Sequence, residues 1–399
     1  MPLSRRSFLT VSLTAAAGAH AALAAAGRAA QPEGNAPPSH APGPTPSPIK
    51  KADKPLKVLF LGGTVFLGPH TVERLLVRGH TITLFNRGKS NPELFPDLEK
   101  LRGDRGTAKS AVNLSALEAE IKLGRRWDVV IDTCAYVPRF MRASTELLKT
   151  ATDRYIMIAS INVYTGDADL DQDESAPVHT KWPQEAAVTN QNYGPMKRGC
   201  EAVLEELMPG RWASARPALI VGPRDPSDRF SYWPVRSLRG GEILAPVGPE
   251  EPAQFIDARD LAALLVLMAE KNANGPFNAV GAPGRTLGPV LGDCLAAAKE
   301  AGGPAGSLTW APLQFLTENQ VQPWSDLPAW VPSADPESAG AMKRIGAKSS
   351  ALGATFRPTK ETAADILKWW ASLPEIRRAK PRSGLSALRE MELLKKLHG

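Results

Sequence analysis

A tyrosine and a lysine four residues apart form the pattern with the clearest chemistry in this 399-residue chain. They are Tyr193 and Lys197 in the run YGPMK, and residues at this spacing share one face of a helix. A nearby ammonium favours the phenolate form of a tyrosine, whose pKa otherwise lies at about 10, so Tyr193 could serve as a general base close to neutral pH. The plainer interpretation is an exposed pair on a helix surface.

A serine at the end of an apolar run could complete this chemistry. Ser160 closes the run YIMIAS, which is typical of a buried strand. A hydroxyl at a strand end can hydrogen-bond the hydroxyl or carbonyl oxygen of a reacting molecule. We therefore group Ser160 with Tyr193 and Lys197 as candidate catalytic residues.

A glycine-rich turn precedes these residues. The run LKVLFLGGTVFLGPHTVERLLVRGHTITLF predicts a strand, a tight turn, a helix and a second strand. Gly62 permits the sharp turn, Gly63 keeps the backbone bare, and Gly68 lets the helix pack close to the strand, so the helix N-terminus could hold a pyrophosphate. The turn alone is weak evidence, because any tight strand-to-helix turn favours glycine.

The alternation of strands and helices continues and predicts the fold class. We expect a doubly wound parallel α/β sheet of the Rossmann type, with helices on both faces and ligands at the carboxyl ends of the strands. The further predicted elements are strands at Leu98–Gly103, Trp127–Thr133, Tyr155–Ser160 and Ala213–Val221, and helices at Leu114–Leu123, Phe140–Thr150 and Asn190–Met208.

Composition divides the chain into five parts. We expect an export signal at residues 1–30, a Pro-rich linker at 31–54, a dinucleotide-binding Rossmann domain at 55–225, a smaller substrate lobe with C-terminal elements at 226–375, and a basic tail at 376–399. The lobe is predicted from a change in texture, because tryptophan, proline and glycine become frequent beyond Arg224.

The N-terminal segment indicates export. Arg5 and Arg6 precede an uncharged, Ala-rich run and resemble a twin-arginine signal, which implies the twin-arginine export machinery as a partner and a periplasmic or extracellular location. An ordinary secretory signal or an uncleaved anchor is the alternative. No later run approaches the about 18 apolar residues that a membrane span needs.

The charge distribution disfavours a nucleic-acid partner. The net charge is +7, but the tail holds seven Lys/Arg and two acids, and removing tail and signal leaves the body at −1. A basic groove over the catalytic face is therefore not expected. The three cysteines are far apart, so neither a disulfide framework nor a metal site is predicted.

Five motifs in order carry a family resemblance over roughly residues 56–300. They are GGTVFLG at Gly62–Gly68, IASINVY with Ser160, Tyr193-x-x-x-Lys197, RPALIVGPR at Arg216–Arg224, and QFIDARDLA at Gln254–Ala262. With them the chain resembles an extended short-chain dehydrogenase/reductase of the NAD-dependent epimerase/dehydratase group. A homodimer is compatible with this resemblance.

The resemblance implies roles for particular residues. Tyr193 would be the acid/base, Lys197 would orient the nicotinamide ribose and tune Tyr193, and Ser160 would polarise the substrate oxygen. Asp104 would lie beside the adenine, or it merely caps a turn. The implied cofactor-binding residues are Gly62, Gly63, Thr64, Phe66, Leu67, Gly68, Asn86, Arg87, Asp104, Thr133 and Lys197.

Two departures from the family pattern bear on the cofactor. Val65 stands where the family has its middle glycine. Asn86 and Arg87 stand where NAD users usually place an acid, and Arg87, with Lys89 nearby, could meet a 2′-phosphate. We therefore favour NADP over NAD, with a solvated Arg87 as the alternative.

The substrate is predicted only as a class. Arg224, Arg229, Phe230 and Trp233 could line its pocket, although such an aromatic cluster is also typical of a core. Transient hydride transfer on a sugar or related hydroxyl or carbonyl compound is our first hypothesis, since free NAD(P)H is not expected outside the cytoplasm. A simple NADPH-dependent reductase is the second hypothesis. A non-catalytic relative of the RNA-binding chloroplast stem-loop-binding group is the third.

The export hypothesis gives a first test. Replacing Arg5 and Arg6 together by Lys should leave the precursor in the cytoplasm, because twin-arginine recognition depends on the guanidinium pair and a general secretory signal needs only positive charge. Cell fractionation followed by immunoblotting measures the outcome. Unchanged export of the double variant would refute the twin-arginine assignment.

Overall fold

The computed structural model describes residues 50–107, 110–184 and 187–399. The expected export signal at 1–30 and residues 31–49 of the expected linker lie outside this part of the chain. The candidate catalytic, cofactor and substrate residues all lie inside it.

The central feature of the fold is a seven-stranded parallel sheet. The strands of the described residues are β1 (Lys57–Leu61), β2 (Thr81–Asn86), β3 (Glu99–Arg102), β4 (Trp127–Asp132), β5 (Thr152–Ile158), β6 (Trp212–Pro217), β7 (Leu219–Val221), β8 (Gly241–Pro246), β9 (Phe255–Asp257), β10 (Gly275–Ala279) and β11 (Gly306–Ala311). The sheet order is β3-β2-β1-β4-β5-β6-β10, with every pair parallel. The predicted fold class is confirmed. The order in which successive strands are added to the sheet reverses between β1 and β4, and such a switch point is where a ligand crevice is expected, at the carboxyl ends of the strands.

Some helices of the described residues cover both faces of this sheet, and others belong to the C-terminal lobe. They are α1 (Leu67–Arg78), α2 (Ser115–Lys122), α3 (Pro138–Leu148), α4 (Tyr193–Leu207), α5 (Tyr232–Ser237), α6 (Ala258–Glu270), α7 (Leu287–Glu300), α8 (Leu313–Glu318), α9 (Ala347–Leu352), α10 (Thr359–Ala371), α11 (Glu375–Arg378) and α12 (Ala387–His398). Val58 and Phe60 of β1 pack with α1 and α6, whereas Leu59 and Leu61 pack with α3 and α4. Side chains alternate between the two faces along a strand. Because helices cover both faces, β1 is apolar throughout.

The prediction of one strand over Ala213–Val221 was wrong. β6 ends at Pro217, Ala218 donates its N–H to the carbonyl of Ala279, and β7 then pairs with β9 in a separate two-stranded parallel sheet. The run ASARPALIV contains Pro217 beside the break, and a proline cannot donate a ladder hydrogen bond, so the sequence held a signal for an interruption although not for the new partner. The break directs the chain from the central sheet into the C-terminal lobe.

The C-terminal lobe has its own core. Phe230, Trp233 and Trp330 are buried there with residues of α5, α7 and α10, and β8 pairs with β11 beside them. The basic segment 376–399 belongs to this lobe, since Leu393 of α12 is fully buried in the same core. Within the described residues, none of the helices combines the length and apolar character that crossing a membrane requires.

Candidate functional site

The turn between β1 and α1 depends on its glycines. Gly62 and Gly63 have φ values of +103° and +94°, in the region that favours glycine. A Cβ on Gly62 would lie 2.7 Å from Thr133 Oγ1, and a Cβ on Gly68 would lie 2.6 Å from the carbonyl carbon of Gly63. The start of α1 can therefore lie against the turn only with these residues bare, as the sequence analysis predicts.

The N-terminus of α1 is open to a ligand. Phe66, with φ of +47°, precedes the helix and makes no side-chain capping hydrogen bond. The first N–H groups of a helix lack intrahelical partners and attract anions, so this end suits a pyrophosphate. Leu67 and Thr64 are buried at the turn, whereas Val65 is 42% exposed. The replacement of the family's middle glycine is therefore accommodated by pointing the valine into solvent.

The carboxyl ends of β2 and β3 form a cationic corner. Asn86 braces the turn, because its Nδ2 donates to the carbonyl of Gly62 at 3.0 Å while its Oδ1 accepts from the N–H of Gly88 and from Arg102. Arg87 is exposed beside this arrangement. Two guanidinium groups, Arg87 and Arg102, thus lie at the position where the ribose of a dinucleotide is expected.

Asp104 serves a turn just beyond β3. Its Oδ1 accepts from the N–H of Gly106 at 2.9 Å, and its backbone pairs with Asn113. This placement matches the turn-capping interpretation that the sequence left open, and it also keeps Asp104 at the rim of the sheet.

A buried ion pair lies beneath this rim. Arg105 bonds Asp132 at the end of β4, and the Tyr155 hydroxyl donates to Asp132 Oδ2 at 2.8 Å. Arg105 Nη2 also donates to Ser144 Oγ at 2.7 Å. Burial alone would lower the pKa of Arg105, but Asp132 and then Tyr155 hold that pKa well above its ordinary value. The pair joins the loop after β3 to β4, and the N–H of Cys134 donates to Asp132 Oδ1.

The turn that follows Ser160 packs against the start of α4, where Tyr193 lies. Ser160 Oγ accepts from the N–H of Asn162 at 3.1 Å in a short 3₁₀ turn. A side chain at Gly194 would collide with the carbonyl of Asn162, so this turn lies directly against the first turn of α4. Tyr193, half-buried, is the first residue of that helix. The structure therefore brings the predicted Ser and Tyr to one place.

Lys197 is a buried cation one helical turn further on. It is 2% exposed, and its Nζ donates to the carbonyls of Ala135 at 2.7 Å and Ile158 at 2.8 Å. The Nζ lies 5.9 Å from the centroid of the Tyr193 ring and 4.2 Å from that of Tyr136. Burial lowers the pKa of Lys197, but the phenols of Tyr193 and Tyr136 more than offset this effect and raise it above its usual value.

The four predicted substrate residues separate into two groups. Phe230 and Trp233 are buried in the core of the C-terminal lobe, where Phe230 stacks on Phe255 and Trp233 Nε1 donates to the carbonyl of Pro328. This location matches the core interpretation that the sequence left open. Arg224 lies near α1, with its Nη1 3.7 Å from Glu73 Oε1.

Arg229 is half-buried and contacts Ser227 and Trp324. Its Nε donates to Ser227 Oγ at 2.9 Å, and its guanidinium lies 5.5 Å from the ring centroid of Trp324. Burial lowers the pKa of Arg229, although Asp225 and Tyr193 act in the opposite direction. The influence of Tyr193 shows that Arg229 lies within electrostatic reach of the candidate acid/base.

Sequence reasoning missed Tyr136, Arg105, Arg102 and Trp324. Tyr136 follows the end of β4 by four residues, so the same strand-end argument that selected Ser160 could have found it. Arg102 ends β3, so the same argument applies to it, whereas Arg105 and Trp324 contact groups that are distant along the chain. Within the described residues, no cluster of three or more His, Cys, Asp and Glu side chains could hold a metal ion.

Comparison with known families decides the assignment of the chain. A model of the NAD dependent epimerase/dehydratase family matches residues 58–280, more than half of the chain. The chain belongs to this family. The match covers the glycine turn, the Tyr193–Lys197 pair and the whole central sheet.

One curated relative is a plant protein. Chloroplast stem-loop binding protein of 41 kDa b from Arabidopsis thaliana is 28% identical over an alignment of 240 residues, which covers 56% of this chain and 58% of that protein. The chain thus matches less than two thirds of the length of this relative.

Solved structures of this fold include epimerases. WbmH of Bordetella bronchiseptica, in complex with NAD+, is 16% identical with a TM-score of 0.55, over 80% of this chain and 99% of that one. UDP-N-acetylglucosamine 4-epimerase from Bacillus cereus is 15% identical with a TM-score of 0.54, over 78% and 98%. At these identities the similarity shows the fold alone.

The buried Arg105–Asp132 ion pair gives a test of stability. Arg105→Leu should lower the free energy of unfolding by about 3–5 kcal/mol, because it leaves the Asp132 carboxylate buried without its cation. Urea unfolding followed by circular dichroism measures this change.

The matched control is Arg142→Leu, which removes an exposed pair with Glu206 (2.8 Å) and should cost less than about 1 kcal/mol. Equal losses in the two variants would contradict a structural role for the Arg105–Asp132 pair.

Proposed function

We propose that this protein is an NAD(P)-dependent enzyme that acts on a hydroxyl or carbonyl group of a sugar or related substrate by transient hydride transfer. The observation that carries the proposal is the buried Lys197 ammonium beside Tyr193, at the crevice that the glycine turn opens. Membership of the epimerase/dehydratase family supports the same reaction class. Burying the Lys197 ammonium is energetically costly, and a buried charge beside a phenol is typical of a functional site. The pair is therefore not an incidental pair on the protein surface.

The turn and the helix end fit a nicotinamide dinucleotide. Gly62, Gly63 and Gly68 keep the backbone bare where a pyrophosphate would approach, and the uncapped N-terminus of α1 would bind it. When bound, this cofactor supplies an acceptor and donor of hydride. The Lys197 ammonium donates two of its three N–H groups to carbonyls, and the third would bind the nicotinamide ribose.

Residues of this chain would transfer the proton of the substrate hydroxyl. Tyr193 would take the proton from the substrate hydroxyl at its phenol oxygen and return it when the carbonyl is reduced again. Ser160 Oγ already accepts from the N–H of Asn162, so its hydroxyl proton is available to the substrate oxygen. The Lys197 charge would stabilise the phenolate during this step.

The substrate side favours a polar ring. Arg229 lies against the aromatic face of Trp324 and within electrostatic reach of Tyr193, and pockets for small molecules combine apolar walls with a few polar groups. A reaction that returns the hydride within each cycle also agrees with the proposed export, because it needs no supply of reduced cofactor. Export through the twin-arginine machinery would deliver the folded protein with its cofactor inside.

The relative that is named as a stem-loop binding protein makes RNA binding a second candidate. The body of the chain carries a net charge of −1 between signal and tail, and RNA binding relies on neutralising phosphates. The retained Ser160, Tyr193 and Lys197 further favour catalysis. An electrophoretic mobility-shift titration with stem-loop RNA, beside one with dinucleotide, separates the two functions.

The cationic corner generates a test of cofactor preference, for which we propose NADP. Arg87→Ala should weaken NADP binding by about 1–3 kcal/mol, the scale of one charge-assisted hydrogen bond, and leave NAD binding nearly unchanged. Isothermal titration calorimetry with both cofactors measures the difference.

Arg102→Ala is the companion variant, because Arg102 lies beside Asn86 at the same corner. Equal losses for NADP and NAD in Arg87→Ala would exclude contact with a 2′-phosphate.

The acid/base assignment gives the main catalytic test. Tyr193→Phe removes only the phenol oxygen, so turnover should fall by at least about 10²-fold while dinucleotide affinity and melting temperature change little. Purified protein is first screened against sugars and nucleotide sugars with mass-spectrometric detection, and the variants are then compared on the substrate found.

Lys197→Met should lower turnover and also weaken dinucleotide binding, since the ammonium serves both. The two changes should be far from additive, because both act on one proton transfer. Near-full activity of Tyr193→Phe would refute the catalytic proposal.

A further inference from the structure

Tyr136 lies at the catalytic centre without belonging to the family's Ser, Tyr and Lys set. It follows Ala135, whose carbonyl binds Lys197, and its side chain is 44% exposed. The rings of Tyr136 and Tyr193 have centroids 6.5 Å apart. Two phenol rings therefore flank one ammonium.

The contact between Tyr136 and Lys197 is a cation–π interaction. The Nζ lies 4.2 Å from the Tyr136 centroid, well within the about 6 Å at which a ring face attracts a cation. Two of the three N–H groups of Lys197 are taken by the carbonyls of Ala135 and Ile158. The ring face of Tyr136 is therefore a further contact of the same ammonium.

We propose that Tyr136 is a positioning residue of the catalytic centre: the face of its ring holds the Lys197 ammonium in place so that this charge acts on Tyr193. The inference rests on the proposed function, because it assigns Tyr136 a role in the same proton transfer. It is the ring that acts, and the Tyr136 hydroxyl is not required.

Other titratable groups also act on Lys197 and Tyr193. Tyr193 and Cys200 face Lys197 from α4, and Asp132 faces it from β4. Arg229, with Asp225 near it, faces Tyr193 from the C-terminal lobe. Lys197 and Arg229 therefore both lie within electrostatic reach of Tyr193, and the Tyr136 ring contacts Lys197.

The tyrosine content makes a direct measurement feasible. The chain has five tyrosines, and burial raises the pKa values of four of them, Tyr136, Tyr155, Tyr164 and Tyr232. In a protein that lacks the Tyr136 phenol, Tyr193 is the one tyrosine outside this group, and comparison with a Tyr193→Phe variant identifies its ionisation. Ultraviolet difference absorbance records this ionisation without substrate or cofactor.

The experiment compares two variants of the full chain. Tyr136→Phe keeps the ring and Tyr136→Leu removes it, while both remove the phenol. Adding Tyr193→Phe to each should abolish one transition, which is thereby assigned to Tyr193. Thermal unfolding of both variants checks that they are folded, and the exposed position of Tyr136 makes either substitution mild.

The expected result is a higher midpoint of Tyr193 ionisation in Tyr136→Leu than in Tyr136→Phe, by about half a pH unit, because a less firmly held ammonium stabilises the phenolate less. Adding Lys197→Met to Tyr136→Phe should raise the midpoint further still. An equal or lower midpoint in Tyr136→Leu would overturn the proposal, as would a midpoint that does not respond to Lys197→Met.

This result is separable from the test of catalysis. The titration needs no turnover, so the ring can prove irrelevant while Tyr193→Phe still abolishes activity. Conversely, the Tyr193 ionisation midpoint could be higher in Tyr136→Leu than in Tyr136→Phe while Tyr193→Phe remains active. That outcome would support the effect of the ring on Lys197 and refute the catalytic function.

Discussion

The ammonium of Lys197 is buried, and a buried charge must be paired or hydrogen-bonded if the protein is to remain folded. Its partners are the carbonyls of Ala135 and Ile158, which come from the ends of β4 and β5, so the charge joins α4 to two strands of the central sheet. This constraint fixes where the helix begins relative to the strands. Tyr193 at the helix start and Ser160 just after β5 are thereby brought to one edge of the sheet.

The C-terminal lobe fixes the other side of the crevice. Asp228 is fully buried with φ of +59°, and both its carboxylate oxygens accept from Arg377, at 2.6 and 2.7 Å. The N–H of Arg382 donates to the same carboxylate. Because Arg229 follows directly, the basic C-terminal segment supports a residue that faces Tyr193. Part of the charge that the sequence shows as a tail is thus used inside the lobe.

The departures from the family pattern have local explanations in this structure. Val65 replaces a glycine without filling the turn, because its side chain points into solvent. Asn86 replaces the usual acid and is occupied in bracing Gly62 and binding Arg102. An acid at position 86 could not donate to the Gly62 carbonyl when ionised, so the amide suits this turn.

The parallel sheet, the glycine turn and the spacing of Tyr193 and Lys197 could all be predicted from the sequence. These depend on short-range rules: apolar runs form buried strands, glycine alone adopts the turn at Gly62, and residues four apart share a helix face. The contact of Tyr136 with Lys197, the pairing of Arg105 with Asp132 and the departure of β7 from the central sheet became visible only in the folded protein. Each of these contacts joins segments from different strands, helices or loops, and no local pattern encodes which distant group will lie opposite.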